Sequence, residues 1–229
     1  MSLRTALTLS AAVLFASRSA ADEPRLGTLA GEVRAHAGQP AGSQRVARQR
    51  EVCGTEVADE SLLVAPGGGL ANAVVWVEGL ARPAGFSPRE IRLDQRRCRF
   101  VPRVMSATAG AAIVFTSQDS VLHTVHAVLG TSRTLFNIAI PFAGLTVTKR
   151  LGNAGRVHFR CDVGHTWMSA WALVFDHPYH AVTGPDGSFR IDGLPAGPRR
   201  VRVWHERLGE RSADVDVPEG GAARMVVRY

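Results

Sequence analysis

Lysine is almost missing from this chain of 229 residues: Lys149 stands alone, and arginine carries nearly all of the positive charge. The formal net charge of +7 is spread along the chain and forms no continuous basic patch. Nucleic-acid binding therefore has little support, while docking to an acidic face of a protein partner stays open. Long apolar runs are missing too. The run ALTLSAAVLFA after Arg4 is far shorter than the roughly 20 residues that cross a bilayer, so no membrane span is expected. No segment shows a sustained helical period. A Ser-His-Asp arrangement, paired catalytic carboxylates and a phosphate-cradling loop are all absent, which leaves enzyme activity without support.

What the N-terminus does have is the pattern of an export signal: Arg4, the apolar run, and then the small-residue stretch SRSAAD, with cleavage expected after Ala21. Residues 1–21 are read as a signal peptide, and no cysteine near the cleavage point offers a lipid attachment. The exported chain is expected in the periplasm, with a charge of about +5 once Arg4 and Arg18 are gone. Cysteine is scarce, at three residues. An odd count in an exported chain points to one pair and one residue left over. Cys53 in EVCG and Cys98 in RRCRF both flank charged, loop-like stretches, so these two are expected to form a disulfide, the alternative being two free thiols. Closing a loop of that length adds roughly 4 kcal/mol in the chain-entropy model, less any strain.

The 23 glycines and 12 prolines suit a turn-rich chain, and short apolar runs separated by turn residues recur throughout. The stretches LAGEVRAHAGQPAG, ESLLVAPGGGLANAVVWVEGL, GAAIVFTSQDS, VLHTVHAVLG, LFNIAIPFAG, GRVHFRC and SAWALVFDH each alternate like strands. An all-β architecture of sandwiches or barrels follows. Near the C-terminus, TGPDGSFRIDGLPAGPRRVRVWH leads a strand from a D-G-x-F turn to a G-L-P-x-G turn. This resembles the transthyretin-like, or carboxypeptidase regulatory-like, β-sandwich. That module ordinarily begins with strands like GEVRAHAGQPAG and ANAVVWVEG, which lie here at the other end. The resemblance implies a nested chain: residues 22–80 and 176–229 form one sandwich, and residues 81–175 are inserted as a second domain.

Inside the insert, FRCDVGHTWMSAW places Cys161, His165 and Met168 at the spacing C-x3-H-x2-M. Thiolate and thioether are soft ligands and imidazole is intermediate, a set that suits copper better than zinc, magnesium or calcium. A mononuclear site needs one more histidine. His123 and His126 in SQDSVLHTVHA lie three apart and face opposite sides of a strand, so only one of them points at the loop. His123 is chosen because DSVLHTV resembles the cupredoxin segment that supplies the first histidine ligand, and the Cys161 loop is similar to the ligand loop of the same family. The resemblance covers about residues 99–175 and implies a Greek-key β-sandwich holding one copper ion on His123, Cys161, His165 and Met168. The loop spacing is nearest to that of a binuclear copper centre, but Val157 stands where a second cysteine would be, which implies a single ion. Threonine follows the histidine where asparagine is frequent, so the tie between the ligand loops is expected to be weaker at Thr124. Backbone N–H groups of Asp162 and Gly164 are candidates to face the thiolate, and Trp167 and Trp171 to exclude water. The bland reading of the same residues is a packed core, methionine being a common filler.

His177, His180 and His205 would meet if the two domains touch, either as a second metal site or as satisfied polar contacts at the junction. His36 and His158 carry no assignment. The resemblance implies an electron carrier with a redox partner protein. The alternatives are a copper-holding or delivery protein, and a metal-free sandwich that binds a protein or glycan.

Overall fold

The computed structural model describes residues 25–36 and 42–229; the expected signal peptide at 1–21 lies outside them. Among the described residues the fold is all-β, with one single-turn helix at Arg50–Cys53. None of the described residues forms a helix long and apolar enough to cross a membrane.

One sandwich is made from strands at both chain ends. Leu26–Arg34 is the central strand of a three-stranded sheet, antiparallel to Ser188–Pro195 and parallel to Ala222–Arg228. Facing it is a four-stranded sheet in the order His180–Val182, Val74–Val77, Gly197–His205 and Gly209–Val217. Period-2 alternation sets the faces. In RRVRVWH, Val201 and Val203 are buried in the core with Leu29, Val33, Val75 and Phe189, while Arg200 and Arg202 turn outward to Glu78. The Pro185-Asp186-Gly187 turn needs its glycine: at Gly187 φ is +80°, and a Cβ would lie 2.4 Å from the carbonyl oxygen of Val33.

The other sandwich pairs a five-stranded sheet (Arg133–Ile140, His123–Leu129, Gly155–Arg160, Ser169–Phe175, Val104–Thr108) with a four-stranded one (Thr146–Leu151, Ala111–Ser117, Ile91–Gln95, Phe100–Val101). The chain leaves the first sheet after Ile140, adds Thr146–Leu151 to the second, and returns to place Gly155–Arg160 beside His123–Leu129. This is a Greek-key crossing, and it brings the end of Gly155–Arg160 next to the start of the histidine strand. Phe115 and Phe159 meet edge to face between the sheets, their ring centroids 5.8 Å apart.

A short excursion joins this second core from far upstream. Ser43–Arg45 pairs with Glu56–Ala58, and Val46, Cys53 and Val57 are buried in the same cluster as Leu93, Phe115 and Phe159. By sequence these residues belong to the 22–80 segment, yet their apolar side chains pack with the insert. A covalent tie accompanies this packing: Cys53 and Cys98 form a disulfide.

The two sandwiches touch through Val74, Val104, Leu173 and Trp204, which share a buried cluster flanked by Trp76, Trp171 and Phe175. The Arg103–Glu206 ion pair, at 2.5 Å with both side chains largely buried, closes one side.

Candidate metal centre

His123 opens the strand His123–Leu129, and its side chain is fully buried, whereas His126 faces outward and bonds Asp162 at 2.7 Å. The three-residue offset accounts for this, since alternate strand positions face opposite sides. The ligand loop Cys161–Met168 connects two adjacent strands whose Arg160 and Ser169 are paired. Gly164 supplies a positive φ of 92° within it, and the N–H of Met168 donates to the carbonyl of His165 at 2.9 Å to close a tight turn.

These two segments bring three donors together. The Nδ1 atoms of His123 and His165 are 3.1 Å apart. Cys161 Sγ lies 3.6 Å from His165 Nδ1 and 4.0 Å from His123 Nδ1. His123, Cys161 and His165 are all buried, and their donor atoms all lie within 4.8 Å of one another. Met168, 1% exposed, is buried in the same core cluster as Cys161. Two other convergent groups, Cys53–Cys98–His165 and Cys98–Asp119–His123, include the disulfide sulfurs, which have no thiolate to offer. Cys161 is the free thiol.

The far edges of both imidazoles are occupied. His123 Nε2–H donates to Asp119 Oδ2 at 2.9 Å, and His165 Nε2–H donates to Gln49 Oε1 at 2.6 Å. Each ring then has an Nδ1 lone pair left, and the two lone pairs face each other beside a thiol. Lone pairs so placed repel unless a proton or a cation lies between them. A metal ion with bonds of about 2.0–2.3 Å to nitrogen and sulfur places such donors about 3–4 Å apart, which fits the observed spacing. The soft donor chemistry fits copper.

Electrostatics follow the same geometry. Burial pushes the Cys161 thiol up, but the His123 hydrogen bond and the N–H groups of Thr124 and Val163 outweigh it and hold the thiol below its ordinary range. Burial opposes a charged His123, yet hydrogen bonds to Asp119 and Cys161 raise its pKa above the usual value. His165 is shifted down by burial and by the neighbouring His123.

Several surroundings differ from the sequence expectation. The N–H groups at the thiolate come from Thr124 and Val163, not from Asp162 and Gly164. Asp162 N–H is taken instead by the Thr124 hydroxyl at 2.7 Å, so Thr124 supplies the tie between ligand loops that was expected to be weak there. Trp167 does sit at the site, edge-on to His165 at 5.4 Å. Trp171 does not; it packs on Trp204 at the junction, because its position on the Ser169–Phe175 strand faces the other sandwich. His180 uses both ring nitrogens on Ser106 and Thr108, and His205 Nδ1 accepts from Arg207 N–H. Among the described residues, His177, His180 and His205 join no convergent metal group. Sequence reasoning gave no role to Gln49 or Asp119. Asp119 lies within the quoted histidine segment and is the available signal; Gln49 has none, because the disulfide and the packing of Val46 and Val57, not nearness in sequence, bring it to the site.

No protein-family model matches the chain, and no curated protein does. Among solved structures, the purple cupredoxin from Nitrosopumilus maritimus is similar over 37% of this chain and 99% of its own, at 17% identity and a TM-score of 0.33. A reduced amicyanin variant is similar over 44% of this chain and 97% of its own, at 15% identity and a TM-score of 0.34. The copper-containing nitrite reductase of Thermus scotoductus SA-01 aligns with 42% of this chain at 16% identity and a TM-score of 0.32, and only 25% of the reductase is covered. The structural neighbours are thus cupredoxins and a copper enzyme, and the functional reading below rests on the side chains of this chain.

Proposed function

We propose that the protein binds one copper ion through His123, Cys161, His165 and Met168 and works as an electron-transfer protein of the periplasm. The observation that carries the reading is the convergence of His123 Nδ1, His165 Nδ1 and Cys161 Sγ within 4.8 Å of one another in a buried site. Bound there, copper would supply a one-electron couple. The protein's part is to hold the donors fixed at the start of one strand and in a short loop between two paired strands, so that little rearrangement accompanies a change of oxidation state, and to keep water away with Trp167 and the buried core. The N–H groups at Cys161 stabilise its anionic form before any ion arrives. A redox partner with an acidic face would meet the arginine-rich surface. The nested chain, with 22–80 and 176–229 forming one sandwich around 81–175, belongs to this proposal.

The test is a visible spectrum of the purified protein after copper addition, with metal analysis. One copper per chain and an intense thiolate charge-transfer band are expected, and Cys161→Ser should abolish the band. An unchanged spectrum in that variant would sink the site assignment. Reversible reduction by one electron separates an electron carrier from a protein that only holds copper.

A further inference from the structure

The excursion at residues 42–58 has no part in the ligand set, yet it is tied to the site at several points. Gln49 accepts from His165 Nε2–H at 2.6 Å, and Gln44 Nε2 donates to Thr166 Oγ1 at 3.2 Å. Cys53 Sγ lies 3.9 Å from His165 Nε2. On the other side of the disulfide, the N–H groups of Arg97 and Cys98 donate to the two oxygens of Asp119 at 2.7 and 2.8 Å. The same carboxylate accepts His123 Nε2–H at 2.9 Å. Trp167, the aromatic neighbour of His165, donates its indole N–H to the carbonyl of Cys98 at 2.8 Å.

Each half of the disulfide therefore belongs to a segment that fixes the outer nitrogen of one site histidine. Both segments are held in costly backbone conformations. Among the described residues four non-glycine residues have a positive φ, and three of them, Gln49 at 58°, Arg97 at 51° and Cys98 at 55°, lie in these two segments. A left-handed conformation costs roughly 1–2 kcal/mol per such residue, so surrounding contacts must maintain it. Here those contacts are the crosslink, the helix turn in which Cys53 N–H bonds the Gln49 carbonyl at 2.9 Å, and the buried Val46 and Val57.

We propose that the disulfide-closed excursion is a positioning clamp: Gln49 and Asp119 each accept the Nε2–H of one imidazole, and Cys53–Cys98 locks the segment that carries Gln49 to the one whose N–H groups hold Asp119. Both histidines then present Nδ1 to the same point beside Cys161. Without the clamp, either ring is free to carry its proton on Nδ1, which blocks the nitrogen that must bind metal. The clamp also covers His165, leaving it 4% exposed. For its purpose this inference rests on the copper reading, but it can be tested in protein without copper.

Long-range proton–nitrogen spectra of the intact, copper-free chain read the tautomers directly. Both imidazoles are expected to carry their proton on Nε2. Gln49→Leu should move His165 toward the Nδ1–H form, while Gln49→Glu, which keeps an acceptor, should retain the native pattern. In the double variant Cys53→Ala/Cys98→Ala, both rings should be disturbed and diethylpyrocarbonate should label His165 at least about tenfold faster, while unchanged amide signals from Leu26–Arg34 report that the chain still folds. Copper affinity in Gln49→Leu should fall about 10–100-fold, the usual effect of losing a group that orients a ligand. Nδ1–H tautomers in the native protein, or a His165 signal indifferent to Gln49→Leu, would overturn the clamp whether or not copper binds. Failure of copper to bind a protein with the expected tautomers would overturn the copper reading alone.

Discussion

In the sandwich built from both chain ends, the buried Thr183 hydroxyl donates to the Leu70 carbonyl at 2.7 Å and accepts the Ala73 N–H at 2.9 Å. Every bond it makes ties backbone to backbone. In the other sandwich, His123 and His165 are just as buried; their outer nitrogens bond Asp119 and Gln49, and their inner nitrogens face one another across 3.1 Å with the Cys161 sulfur as their shared neighbour. A buried polar atom without a settled partner costs on the order of 1–3 kcal/mol. Thr183 avoids that cost, whereas at the candidate site two inner nitrogens and one thiol converge on the same point. The contrast marks the His123–Cys161–His165 cluster as the place where a bound ion would settle the polar atoms, while the two sandwiches pack together at Val74, Val104, Leu173 and Trp204.

The most severe way to break this comparison is to remove the strand Leu26–Arg34. It is the centre of its sheet, so its loss strips partners from Ser188–Pro195 and Ala222–Arg228 together and removes Leu29 and Val33 from the core. Residues 176–229 are then expected to become sensitive to protease, while the thiolate–copper band persists. The isolated fragment 176–229 should show no cooperative unfolding, because half a sandwich cannot bury its apolar face. A stable fragment would mean that the domains are strung in order and not nested.

A smaller cut is Phe115→Ala. Phe115 is fully buried and packs edge to face on Phe136 and Phe159 at 5.7 and 5.8 Å, so truncation should cost about 3–5 kcal/mol. Native-state hydrogen exchange sharpens the comparison: protection in His123–Leu129 should fall by that amount, and protection in Leu26–Arg34 by no more than about 1 kcal/mol. An equal fall in both strands would show one cooperative unit instead of two.

Much of this was legible because strand alternation is local. In RRVRV the buried valines alternate with the arginines, and the offset between His123 and His126 separates the inward ring from the outward one. The all-β class and the Cys53–Cys98 pairing were readable on the same footing, the second from an odd cysteine count. What was not legible depends on which distant segments the tertiary fold brings side by side. Gln49 lies 116 positions from His165, and no periodicity links them. Nearness in sequence to Cys161 makes Trp171 a candidate for the site. A strand, however, carries residues away from a loop at over 3 Å each, and its pairing His158↔Trp171 turns it to the junction. The 42–58 excursion reads with its neighbours in sequence, because nothing in Val46 or Val57 names the core that receives them.

The mildest test concerns the junction, where acid should act before either core fails. His180 is stacked on Phe175 at 4.9 Å and bonded to Ser106 and Thr108 of the inserted sandwich. Burial, with a contribution from nearby His177, pushes its pKa down from the usual 6.5 to about 4. A group whose folded pKa lies below its unfolded value binds protons more readily when unfolded, so the folded state loses stability as pH drops below about 6.5 and stops losing it near 4. The loss should be on the order of 1–3 kcal/mol. Denaturant midpoints measured between pH 7 and pH 4 should therefore decline more steeply in the native chain than in His180→Phe, which keeps the stacking and has no proton to gain. The variant gives up two hydrogen bonds and should be less stable at pH 7, so the discriminating quantity is the slope against pH and not the midpoint itself. Equal slopes would mean that His180 is protonated without opening the junction, and that the acid response of the protein arises elsewhere.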